Sequence, residues 1–66
     1  MLSPERQWAE AEESEHYARN IVLHRAGKLA DAEVSAMNAR IIRQYSLTAL
    51  RRIKARAWAI AEADHA

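Results

Sequence analysis

In the first third of the chain the apolar positions Trp8, Ala11, Ala18, Val22 and Ala26 fall within a stripe roughly 80° wide when wound at 3.6 residues per turn. That spacing predicts an amphipathic helix with a narrow seam, suited to one neighbouring helix. Glu15 interrupts the seam, so it belongs either at a solvent-exposed end or opposite a base on the facing helix. The segment has clear ends. Ser3-Pro4-Glu5 places a hydroxyl at the N-cap, a proline at N1 and an acid beside the positive helix end. Gly27 offers the left-handed residue that closes a helix at about Ala26, and Asp31 then suits the N-cap of a second helix.

From Ala32 to about Ala63 there is neither glycine nor proline, so one helix of about 48 Å is expected. Its apolar stripe, Val34, Ile41, Tyr45, Ala49, Ile53, Ala57 and Ile60, advances mostly in steps of four and drifts around the axis faster than a heptad repeat would. Two geometries produce that drift. One is a continuous helix crossing its neighbour by i±4 ridges, and the other is a kink near Ser46-Leu47-Thr48. The kink has a local mechanism, because Ser46 can cap a new helix while Tyr45 and Leu50 staple its entry. The lack of a strong breaker favours the continuous form.

The expected fold is therefore all-α, an antiparallel helical hairpin turning at Gly27 to Ala30, as one domain over residues 1–66. Folding about residue 29 pairs positions whose numbers sum to about 58 and sets Glu5 to Glu15 against Arg43 to Arg51. It leaves Trp58 and Ile60 beyond the start of the first helix.

Composition sharpens this picture. A chain of 66 residues buries only about 60% of its unfolded surface. With no cysteine it has no disulfide staple, so completion of the core in an oligomer or a larger assembly is expected. No apolar run is long enough to span a bilayer and no h-region opens the chain, which makes a cytoplasmic protein without a membrane partner the default. Charge is bipolar. Residues 1–33 carry seven of the nine acids, while residues 34–61 carry six bases and no acid.

Candidate chemistry is sparse. Glu13-Ser14-Glu15-His16 places a carboxylate and an imidazole one turn apart, and this Glu-x-x-His step resembles the ligand motif of ferritin-like di-iron proteins. The resemblance covers four residues, and the second helix lacks the carboxylates such a site takes from its facing helix. His24 and His65 have no companions at zinc-ligand spacing. Ser14, Ser35, Ser46 and Thr48 lack the base and orienting group that a hydroxyl nucleophile needs. The single glycine precludes a phosphate-cradling loop. No catalytic, cofactor or metal residues are assigned, and the chain reads as a non-enzyme.

The second half is richer. On a continuous helix Arg40, Arg43, Leu47, Arg51, Lys54 and Trp58, at steps of 3, 4, 4, 3 and 4, share one face opposite the apolar stripe. Arginine and tryptophan are the residues enriched at binding hot spots, so these six are the expected partner contacts. Tyr45-Ser46-Leu47-Thr48-Ala49-Leu50-Arg51-Arg52-Ile53 also resembles the turn and recognition helix of helix-turn-helix proteins, which implies contact with DNA. It departs from them in having serine where the turn often has glycine, and in lacking about two residues between Thr48 and Leu50. Without those residues the turn is expected to merge into one helix. The expected role is a small interaction or assembly protein that docks on a protein partner or on its own copies, with a nucleic-acid-binding regulator as the alternative. A phage or host-defence accessory origin would suit so small a chain, although no residue carries that idea.

Overall fold

The computed structural model describes residues 2–65, with the side chains of residues 2–63, so the His65 imidazole lies outside the described residues. Three helices follow one another: α1 over Pro4–Arg25, α2 over Asp31–Gln44 and α3 over Leu47–His65. None of them is long and apolar enough to cross a membrane.

The start and end of α1 follow its local chemistry. Ser3 is the N-cap and its side chain accepts a hydrogen bond from the Arg6 N–H at 3.2 Å, with proline inside the first turn. At the other end the Gly27 N–H donates to the His24 carbonyl and the Lys28 N–H to the Leu23 carbonyl. This is the paired closure of a Schellman motif, with Gly27 at φ +74°. Asp31 is not the cap of α2. Ala30 holds that position without a side-chain hydrogen bond, and Asp31 lies within the first turn, its carboxylate 2.6 Å from His24 Nε2. The Asp31 carboxylate instead meets the imidazole at the end of α1.

The continuous second helix is not what forms. At Tyr45 the backbone turns to φ −121°, ψ −86° and ends α2. Ser46 then restarts the chain as α3, its Oγ accepting from the Ala49 N–H at 3.0 Å. Leu50 is buried and Tyr45 packs on the same core, the arrangement of a hydrophobic staple. The nine residues that resemble a helix-turn-helix turn therefore do not merge into one helix, because the serine cap and the burial of Tyr45 and Leu50 offset the hydrogen bonds lost at the break.

This break redirects α3. Between α1 and α2 the pairs Glu13–Arg40, Tyr17–Asn38 and Asn20–Met37 run in opposite directions, as a hairpin requires. Between α1 and α3, however, Glu10 meets Arg52 and Arg25 meets Glu62, so these helices run in the same direction. The expected hairpin pairing thus holds approximately for α1 and α2 and fails for α3. Trp58 consequently sits beside the C-terminal end of α1, not beyond its start.

The core is small and lies mainly between α1 and α3. It joins Tyr17, Ala18 and Ile21 of α1 to Ile41 of α2 and to Leu50, Ile53, Ala57 and Ala61 of α3. Three of these are alanines where α1 meets α3, and short side chains let helix axes approach toward the lower end of the usual 8–10 Å. Every member of the expected stripe in the second half, from Val34 to Ile60, is at least partly buried. Burial of Ile41 and Ile53 is essentially complete, so the third helix covers the side of the core that was expected to need another chain.

The face buried by α1 is a different matter. Glu10, Ser14, Tyr17, Ala18 and Ile21 point inward, about a quarter turn from the expected seam. Only Ala18 belongs to both. Trp8 remains 69% exposed and Val22 49% exposed.

Candidate interaction surface

The six expected contact residues do not form one continuous face, because the break at Tyr45 assigns Arg40 and Arg43 to α2 and the other four to α3. Arg40 turns toward α1. Its two terminal nitrogens donate to both Glu13 carboxylate oxygens, at 3.2 and 2.8 Å, and one of them also reaches Gln44. Arg43 and Arg51 are exposed, as is Leu47, while Lys54 is half-buried. On α3, Leu47, Arg51, Lys54 and Trp58 keep their spacing and share one flank. At Trp58 the Arg25 guanidinium lies 4.7 Å from the indole centroid and also bonds Glu62 at 3.3 Å. The ring is therefore shielded from within the chain and is still 41% exposed.

A second fork-to-fork pair ties α1 to α3. Glu10 is buried, and Arg52 donates to its two oxygens from Nε at 3.1 Å and from Nη2 at 3.0 Å. Arg6 adds its charge from one turn earlier, with Nε 3.4 Å from Glu10 and its guanidinium 4.6 Å from the Tyr45 ring centroid. The Arg52 hydrogen bonds outweigh the opposing effect of burial and, with the charges of Arg52 and Arg6, hold the Glu10 carboxyl below its ordinary value. Glu13 likewise pushes Arg40 up. Burial pushes the Tyr17 phenol up, and its hydroxyl donates to Asn38 Oδ1 at 2.7 Å. The acids of α1 thus meet bases from the second half of the chain, as the charge asymmetry suggested, but through two different helices.

In the Glu13-x-x-His16 fragment, Glu13 is committed to Arg40, and Glu15 and His16 are exposed. Among the described residues no three histidine or carboxylate side chains converge on a common point.

Turning the buried face of α1 leaves its alanine-rich seam outside. Beside that seam lies a groove of about 880 Å³, lined by Glu15, Ala18, Arg19, Val22, Leu23 and Arg25 of α1, by its C-cap Ala26, and by Ile60 and Ala61 of α3. A smaller hollow of about 320 Å³ lies near Trp8, Ala11 and Ile53. Ala11 and Val22 share the seam with Trp8, so both hollows open on the same side of α1. The sequence showed the stripe but not its orientation. Ile60 and Ala61 come to line the groove only because the break brings α3 alongside α1.

These features define a small three-helix protein with an open apolar groove. Compared with known proteins, the chain matches no family model, no curated protein and no solved structure.

Proposed function

We propose that this protein is a non-enzymatic helical interaction protein that binds a protein surface, its own or another's, through the groove beside α1. One observation carries the reading: the groove of about 880 Å³ is walled by Val22, which is 49% exposed, beside Leu23 and Ile60, so apolar side chains from two helices line one open concave surface. Exposed apolar surface of that kind marks contact sites more often than bare solvent-facing surface. The flank of α3 with Leu47, Arg51, Lys54 and Trp58 is the second contact surface, and Arg43, exposed on α2, is a further contact residue. Arg40 acts from within, holding Glu13.

Nucleic-acid binding is the weaker alternative. Arg40, Arg52 and Arg25 are engaged by Glu13, Glu10 and Glu62, and the chain carries a net charge of only +1. Arg43, Arg51 and Lys54 have no ion-pair partner among the described residues, a smaller basic patch than the strongly basic face of a phosphate-binding protein.

A photo-crosslinking residue placed at Val22, with the exposed position Glu33 as control, tests the reading in the native cell. A discrete protein adduct at position 22 that is missing at 33 is expected. Adducts to nucleic acid alone, with binding that collapses steeply as salt rises, would overturn it.

A further inference from the structure

Resting on that reading, we propose that the occupant of the groove is a second copy of this chain, whose α1 lies antiparallel to the first across a two-fold axis. The residues concerned are Trp8, Ala11, Glu15, Arg19, Val22 and Ala26, which follow one side of α1 for about 27 Å. Two such helices laid antiparallel bring together positions whose numbers sum to about 34. Trp8 then faces Ala26, Ala11 faces Val22, and Glu15 faces Arg19. Each bulky residue meets a small one and each acid meets a base, twice over by symmetry.

Three observations favour this occupant over an unrelated helix. Glu10 and Glu13 are bound by arginines of the same chain, whereas Glu15 and Arg19 have no ion-pair partner among the described residues. The copy's Trp8 arrives opposite Ala26, at the larger groove, where Val22 and Ile60 present apolar walls and an indole finds room. Trp8 is itself the most exposed of the large apolar side chains, at 69%. The association covers two tryptophans, each able to bury about 150–250 Å², together with the Val22 pair and the stems of Arg19 and Glu15. The core is untouched by the association, since Ile41 and Ile53 are already covered within one chain.

Sedimentation of the full chain from about 5 to about 500 µM should show monomer passing to dimer by mass action. Glu15→Arg and Arg19→Glu, both at exposed positions, should each weaken the dimer at least about tenfold at low salt while helical content stays unchanged. The double variant restores both contacts and should return to within about threefold of the parent. Trp8→Ala should weaken it by at least about tenfold as well. A chain that stays monomeric at the highest concentration, or a dimer indifferent to the single charge reversals or not rescued by the double one, overturns the proposal. A monomeric chain whose position 22 crosslinks to a different protein overturns the dimer alone and leaves the broader reading standing.

Discussion

Replacing Glu10 with alanine deletes the carboxylate that two arginines share beneath the α1–α3 contact. Glu10 is only 5% exposed, while the Arg52 side chain is 45% exposed and the Arg6 side chain 36%. Breaking a fully buried pair costs about 3–5 kcal/mol, because one charge is stranded. Here Arg52 returns to water when released, which reduces the loss to that of hydrogen bonds on a charged group, about 2 kcal/mol. A chain of this size has roughly 3–10 kcal/mol of total stability. The substitution should therefore lower Tm by about 8–16 °C in a circular dichroism melt at neutral pH. In the Glu10→Ala background, Arg52→Ala should add little, since its main partner is already gone. The pH dependence supplies the sign. The folded carboxyl titrates below its ordinary value of 4.5, so its contribution is complete above that pH and is lost as pH falls through the lower folded value. The stability gap between the parent and Glu10→Gln should narrow on acidification. A Tm within about 2 °C of the parent for Glu10→Ala, or a Glu10→Gln gap unchanged down to about pH 2, would refute the reasoning.

Two further outcomes test the helix ends. Ser46→Ala removes the cap of α3 and should cost about 1 kcal/mol, read as a lower urea midpoint with an unchanged slope; no change would mean that Tyr45 and Leu50 alone hold the break. Gly27→Ala meets no atom within 4 Å of its new Cβ, so the expected loss is the left-handed backbone penalty of about 1–2 kcal/mol, and Gly27→Asn should lose less.

Much of the architecture was legible because helix ends are local. Ser3-Pro4 and Gly27 act on backbone groups within a few residues, and the structure uses them where their chemistry places them. The step-of-four stripe from Ile41 through Ala57 was legible too, since those side chains are apolar on any path the chain takes. The Ser46 break was visible only as one of two solutions. A serine cap contributes about 1 kcal/mol, too little to decide against an uninterrupted helix until the burial of Tyr45 and Leu50 is added.

What the tertiary structure alone decided is the direction of α3 and the face that α1 buries. Trp8, Val22 and the alanines form the more apolar stripe, yet Glu10, Ser14, Tyr17 and Ile21 go inside. A carboxylate is costly to bury unless a charge-matched donor meets it. Arg52, which meets Glu10 from more than forty positions away, reaches it only because the chain turns at Tyr45. With Glu10 and Glu13 both drawn inward by arginines and Tyr17 bonded to Asn38, the helix is rotated by polar partners whose positions no local pattern contains, and its apolar stripe is left facing outward.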